Sequence, residues 1–259
     1  MFPVLFISGL GLACGILLVI AAKLMAVPVD ETESNVRAVL PGANCGACGF
    51  AGCDDYAKQL AAGGVKTNLC TPGGDAVARQ LSELLGVAYE DVKEQKAIMR
   101  CAGNFDTSDY VMEYKGPKTC NACNSFYQGR RSCTHGCLGF GDCVNVCKFG
   151  ALEIVNGLAV INRLLCTGCG ACAKVCPNHI IGLASDTARV HVACSSHDKG
   201  AYTRKVCRAG CIGCMKCQKT CEFDAIKVVD NLASIDPEKC TNCGKCVEVC
   251  PVKVIHICG

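Results

Sequence analysis

Apolar and polar positions divide the chain into zones of different rhythm. Residues 2–22 (FPVLFISGLGLACGILLVIAA) are unbroken by charge before Lys23. At about 1.5 Å per residue this stretch reaches about 30 Å, the thickness of a bilayer core, and predicts a transmembrane helix. It lacks the basic start and the shorter apolar run of a signal peptide, which favours a permanent anchor. Gly11 and Gly15 stand four apart, a spacing that suits close packing against other membrane helices. Residues 28–40 (PVDETESNVRAVL) read as a polar linker entering a short helix, and DDYAKQLAAGG, from Asp54, as a second helix. The rhythm then changes to period two. FGALEIVNGLAVINRLLC and FDAIKVVDNLASIDPEKC each alternate apolar and polar residues around Asn-Gly or Asp-Asn, the signature of a β-hairpin.

Charge orients the first segment. Lys23 and Arg37 follow the span and nothing basic precedes it. The positive-inside rule therefore predicts a single pass through the cell (inner) membrane, with the C-terminal body in the cytoplasm. In that compartment disulfides are disfavoured. This matters because the 259 residues include 27 cysteines. The chain is long enough to fold without staples, and an odd count argues against complete pairing. Metal binding or catalysis is left to explain them. With no Trp and 5% aromatic residues, aromatic side chains do little to fill the cores. The formal charge of +3 gives no ground for a nucleic-acid partner.

Cysteine spacing supplies the chemistry. Residues 166–177 (CTGCGACAKVCP) and 240–251 (CTNCGKCVEVCP) both read C-x2-C-x2-C-x3-C-P, the bacterial ferredoxin run for [4Fe–4S] clusters. Short gaps wrap three thiolates round one face of a cubane, and the fourth points to a neighbouring cluster. Structural zinc, the competing reading, groups two CxxC pairs instead. Each run has a partner run upstream, and the whole module recurs at an offset of 74 residues: Cys120 with Cys194, Cys133 with Cys207, Cys137 with Cys211, Cys143 with Cys217 and Cys147 with Cys221. One position departs from the register, where Phe140 stands for Cys214, and Cys133 is the nearest substitute.

The crossed ligand pattern of two-cluster ferredoxins then assigns four sets. They are Cys133, Cys137, Cys143 and Cys176; Cys147, Cys166, Cys169 and Cys172; Cys211, Cys214, Cys217 and Cys250; and Cys221, Cys240, Cys243 and Cys246. A fifth site lies nearer the N-terminus, where PGANCGACGFAGC and LCTPGG supply Cys45, Cys48, Cys53 and Cys70. Five clusters are expected from these sets. Cys101, Cys120, Cys194 and Cys207 offer ligands for a sixth, with Cys123 competing for one place. Cys14 and Cys258 are left over.

These readings combine into an α+β chain. It comprises an anchor over 1–27, a linker and small helical four-cysteine domain over 28–90, a connector over 91–119, and two tandem two-cluster ferredoxin-like modules over 120–193 and 194–259. The order of anchor, LPGANCGACGFAGC with Cys70, CTHGCLGFGDC and tandem ferredoxin runs resembles the B subunit of the Rnf complex, the membrane-bound ferredoxin:NAD+ oxidoreductase. The resemblance spans essentially the whole chain. It implies a subunit of an ion-translocating enzyme that takes electrons from reduced ferredoxin and relays them to integral membrane subunits, while another subunit reduces NAD+. The cysteines around 101–123 and 194–207 exceed the simpler family pattern.

No site for a flavin, a nicotinamide or a haem is expected on this chain. GLGLACG lies in the apolar span and not after a strand, and no CxxCH occurs. No catalytic constellation of its own stands out. His135, His179, His191, His197 and His256 read as surface or packing residues. Arg130 and Arg131 read as a solvated pair, with docking of an acidic ferredoxin as the sharper alternative. An electron-donor subunit of a soluble or corrinoid enzyme and a zinc-rich scaffold are the rival functions.

Overall fold

The computed structural model describes residues 2–24 and 30–258, and the side chains of residues 2–8, 10, 22 and 24 fall outside the described set. Helix α1 covers Phe2–Leu24. Its side chains from Gly11 to Ala21 are exposed, including Leu12 and the run from Ile16 to Ile20. Among the described residues no helix is long and apolar enough to cross a membrane. The span expected over 2–22 depends in part on side chains outside that set. Residues 25–29, where the sequence predicts the passage from anchor to linker, and Gly259 also lie outside it.

A small helical unit follows. Helix α2 (Glu31–Val39) starts at Asp30, whose carboxylate accepts from the Thr32 amide at 2.8 Å, a side-chain cap that satisfies a free donor of the first turn. Helices α3 (Cys53–Ala62) and α4 (Gly74–Leu85) flank a single 3-10 turn at Thr67–Leu69. Their apolar faces meet around Val36, Tyr56, Ala57, Leu60 and Leu81, together with Cys53 and Cys70. The cysteines of this unit are thus part of its core.

The rest of the chain is built twice. The first copy contains β1 (Gln95–Met99), α5 (Cys120–Asn124), α6 (Asp142–Asn145), β2 (Leu152–Val155), β3 (Leu158–Ile161), α7 (Ala171–Val175) and β4 (Ile181–Ser185). The second contains β5 (Val190–Val192), α8 (Gly200–Val206), α9 (Lys216–Thr220), β6 (Ile226–Val229), β7 (Leu232–Ile235), α10 (Lys245–Glu248) and β8 (Ile255–Ile257). The strands pair antiparallel as β1–β4, β2–β3, β5–β8 and β6–β7. Both expected hairpins form. Asn156–Gly157 and Asp230–Asn231 have positive φ at both turn positions, the backbone of the two-residue turn whose twist matches the strands. Strand β1 comes from the stretch read as a connector and pairs Ala97 with Leu183 of β4.

The two cores repeat residue for residue at the 74-residue offset. Ala151, Leu152, Ala159, Ile180 and Ile181 form one with Cys137, Cys143 and Cys172; Ile226, Ala233, Val254 and Ile255 form the other with Cys211, Cys217 and Cys246, and Ala225, the mate of Ala151, is likewise buried. One equivalence is steric. A Cβ on Gly139 would lie 2.6 Å from the Gly157 carbonyl, and one on Gly213 would lie 3.0 Å from that of Asn231. In each copy the cysteine loop presses on its hairpin turn, and at φ of 76° and 63° only glycine allows it without strain.

Strands β5 and β8 place His191 opposite His256, with ring centroids 6.1 Å apart. His191 Nδ1 lies 3.3 Å from Cys258 Sγ. Burial drives the His191 pKa down to about 4, with smaller pushes from His256 and Arg163. A buried neutral histidine supports the fold while the unfolded chain's histidine is also neutral, above about 6.5, and this support disappears as the pH falls through about 4. The excess stability of the native protein over a His191→Asn variant should therefore shrink by about 2 kcal/mol between pH 6.5 and 4. Guanidinium unfolding across that range measures it; parallel curves for the two proteins would show that His191 does not carry the effect.

Candidate metal centres

The described cysteines outside Cys14, Cys123 and Cys258 gather into six sets of four. In the helical unit, burial first and then the nearby Cys53, Cys45 and Cys48 push the Cys70 thiol up to about 11. We call this set site 1. The Asn44 side chain shapes its loop by accepting from the Cys53 amide at 2.8 Å, which also caps α3. The Gly73 amide donates to the Cys70 sulfur.

Site 2 joins Cys147, Cys166, Cys169 and Cys172. The Cys172 thiol is pushed up to about 11 by burial and then by the other three. The Ala97 amide of β1 donates to Cys166 Sγ and the Ala151 amide to Cys147 Sγ, both at 3.4 Å. The strand from the connector thus closes one side of this site.

Sites 3 and 4 exchange two cysteines relative to the spacing argument. Cys120, Cys137, Cys143 and Cys176 line one void, with Ile154, Ala159 and Ile181 around them. Cys101, Cys133, Cys194 and Cys207 line another, between the two copies. The electrostatics follow the same grouping. Burial pushes Cys143 up to about 12, with Cys137, Cys120 and Cys176 adding to it; burial pushes Cys133 up to about 12, with Cys101, Cys207 and Cys194 adding to it. Helix α5 is the cause. Thr119 Oγ1 caps it by accepting from Ala122, and the Asn121 amide donates to Asp142 of α6 at 3.1 Å. Cys120 is thereby delivered to the place that Cys214 fills in the second copy. Phe140, which replaces that cysteine in the repeat, turns instead into a small cluster with Tyr114, Leu138, Cys120 and Cys123. Cys133, freed, faces its repeat mate Cys207.

Site 5 is the void lined by Cys211, Cys214, Cys217 and Cys250, and site 6 the one lined by Cys221, Cys240, Cys243 and Cys246. Among the cysteines of all six sites only Cys214 and Cys243 are exposed. Of the remaining three, Cys123 is fully buried against Leu138, Cys258 contacts His191, and Cys14 lies exposed on α1.

The residues present fit cubane clusters. Amides aim at sulfur throughout: Cys137 N donates to Cys101 Sγ at 3.4 Å, Ser196 N to Cys194 Sγ at 3.5 Å, and the amides of Ala209 and Gly210 to Cys207. Such bonds stabilise thiolate, not thiol. Among the described residues no three His, Cys, Asp or Glu side chains converge on a point that could hold a single metal ion. Thiolates round a cubane bind separate irons and need no common point.

Neighbouring sites lie within electrostatic reach of one another. Cys45 adds to the pKa of Cys169, Cys172 to that of Cys143, Cys101 to that of Cys137 and Cys211 to that of Cys194. Sites 5 and 6 share one core. The order in space is therefore 1–2–3–4–5–6. Lys148 and Lys174 hold site 1 against site 2 by donating to the carbonyls of Ala43 and Gly46 at 2.5 and 3.4 Å.

The arginines differ from the expected solvated pair. Arg131 is buried, and Arg130 lies over the rings of Tyr110 and Phe140 at 4.7 and 4.3 Å. Neither side chain is free to meet a docking protein. The sequence signal for this was Tyr110 and Phe140, whose faces attract guanidinium.

Serine substitutions test the regrouping. Cys120→Ser should abolish the same electron paramagnetic resonance signal as Cys176→Ser, and Cys133→Ser the same one as Cys207→Ser. Loss of a shared signal in Cys133→Ser and Cys176→Ser would restore the grouping drawn from spacing.

Comparison with known proteins is consistent with these sites. Residues 40–72 match a family model described as "Putative Fe-S cluster", residues 159–182 a 4Fe-4S binding domain and residues 210–254 a 4Fe-4S dicluster domain. The chain is 43% identical to the B subunit of the ion-translocating oxidoreductase complex of Methanosarcina acetivorans, over 97% of this chain and 96% of that one. It is 39% identical to the B subunit of the Na(+)-translocating ferredoxin:NAD(+) oxidoreductase complex of Acetobacterium woodii, over 98% and 76%. It is 40% identical to the B subunit of the proton-translocating ferredoxin:NAD(+) oxidoreductase complex of Clostridium ljungdahlii, over 95% and 88%.

Proposed function

The chain belongs to the B-subunit family of the ion-translocating ferredoxin:NAD+ oxidoreductase complexes, and we propose that it is the electron relay of such a complex, carrying electrons from reduced ferredoxin to the membrane subunits. The observation that carries this reading is the unbroken line of six four-cysteine sites, each within electrostatic reach of the next or in one core with it. When bound, [4Fe–4S] clusters supply one-electron carriers at low potential. The protein's own part is to seat them in order, aim amides at their thiolates and keep water from all but one end.

That end is the second copy. Cys214 and Cys243 face solvent, Lys216 and Lys219 are exposed on α9, which follows Cys214, and Lys245, two residues after Cys243, is exposed and paired with Glu222. This supports entry of electrons at sites 5 and 6 from an acidic ferredoxin steered by opposite charge. Site 1 is the exit. It follows α1 closely in the chain, and the apolar segment over 2–22 supports a single membrane span whose open flank at Gly11 and Gly15 receives a partner helix. Lys23 and Arg37, which follow the span, support a cytoplasmic body, with lipid around α1 and the integral and NAD-reducing subunits as further partners.

Three experiments test this. Anaerobically purified protein should hold about twenty-four irons and as many sulfides, four per site. Zinc without sulfide would end the relay reading, and about twenty irons would remove site 4 from it. Replacing Lys216, Lys219 and Lys245 by Glu should slow reduction by ferredoxin about tenfold at low salt, with the difference shrinking as salt screens it. Stopped-flow absorbance reads that rate, and alkaline carbonate washing tests whether the full chain stays with the membrane.

A further inference from the structure

Among the described residues Arg131 is the only charged side chain that is buried, with 2% of its surface exposed. Its Nη1 donates to the Gly103 carbonyl at 2.9 Å and its Nη2 to the Gly157 carbonyl at 2.7 Å. Both acceptors are neutral. Nε has no partner, and none of the ion pairs among the described residues includes Arg131. A guanidinium keeps its proton in any protein environment. The Tyr110 ring lies 5.4 Å from the guanidinium carbon and offers a weak partner, but a full positive charge is held in the interior with no carboxylate beside it, an arrangement that is unfavourable unless an anion answers it.

Site 4 lies next to it. A Cβ placed on Gly103 would stand 3.5 Å from Arg131 Nη1, 3.5 Å from Cys207 Sγ and 3.6 Å from Cys101 Sγ. The guanidinium is thus no more than about 7 Å from either sulfur. Its charge opposes burial at the thiols of Cys101, Cys137 and Cys207. The second copy has nothing equivalent: the repeat mate of Arg131 is Lys205, which is exposed.

We propose that Arg131 is a tuning residue, whose fixed positive charge raises the reduction potential of the cluster held by Cys101, Cys133, Cys194 and Cys207. The inference rests on the reading that site 4 holds a [4Fe–4S] cluster. Four thiolates on an oxidised core carry −2 in all, and one-electron reduction brings this to −3. A nearby cation stabilises the more negative state more, so it favours reduction. The carbonyls of Gly103 and Gly157 fix the fork, so its dipoles need no rearrangement when the electron arrives. The chain thereby favours an electron at the junction of its two copies, partway between the ferredoxin end and the membrane end.

The test is a redox titration of the full, cluster-loaded chain by electron paramagnetic resonance, in the native protein, Arg131→Met and Arg131→Lys. The signal lost in Cys207→Ser identifies site 4. In Arg131→Met the reduction equilibrium of that signal should become at least tenfold less favourable, about 59 mV for one electron, while the signals of sites 1, 5 and 6 and the iron content stay unchanged. Arg131→Lys, which keeps a charge but cannot span both carbonyls, should fall between. Equal site 4 midpoints in all three proteins overturn the proposal. If Arg131→Met loses the site 4 irons, Arg131→Gln, which is neutral but can still donate to a carbonyl, decides in its place: a lowered site 4 midpoint supports tuning, and an unchanged one overturns it. If Cys207→Ser removes no iron and no signal, the cluster reading of site 4 fails instead, a result distinct from either.

Discussion

The structure depends on one constraint: groups of buried thiols that face one another instead of a hydrocarbon core. Burial first, and then the neighbouring thiols of each group, push several of them to pKa values of about 11 or 12. The surrounding apolar residues, chiefly Ala, Val, Leu and Ile, pack directly against these cysteines. A chain built this way gives up part of its apolar packing to thiols at its centres. It needs an inorganic core to take up the protons' place on sulfur and to fill the space, so that ligand binding and folding become one free-energy change. The backbone amides aimed at sulfur show the same requirement from the protein side, because they favour the thiolate that iron binds.

Much of this was legible in the sequence, and the reason is local. The hairpins follow from Asn156–Gly157 and Asp230–Asn231, since two adjacent residues decide whether a two-residue turn can form. The first two cysteines of each ferredoxin run sit in one loop and the third opens the short helix that follows, so spacing nearly determines their geometry. The 74-residue register carried the assignment from one copy to the other and found the residues that pack both cores.

The unread part is non-local. Spacing put Cys133 with Cys137 because they are four apart, but α5 arrives from another direction and inserts Cys120. Nothing in the order of residues says where the connector returns, and β1, which it contributes, had no repeat mate to announce it. Arg131 was misread for a related reason. A charged residue beside a charged residue reads as surface, and only the folded chain shows the two glycine carbonyls that receive its fork.

The meeting of Cys133 with Cys207 has a wider meaning. In a dimer of identical chains, a residue that meets its own counterpart lies on the axis relating the two protomers. Here the counterparts belong to one polypeptide. The two copies therefore stand to each other as fused protomers, and the junction that would have been their shared interface is itself a ligand cradle. Its mirrored cysteines, one from each half, make the union of the halves a condition for loading the centre between them. A cut chain would lose this centre before it lost those within either half.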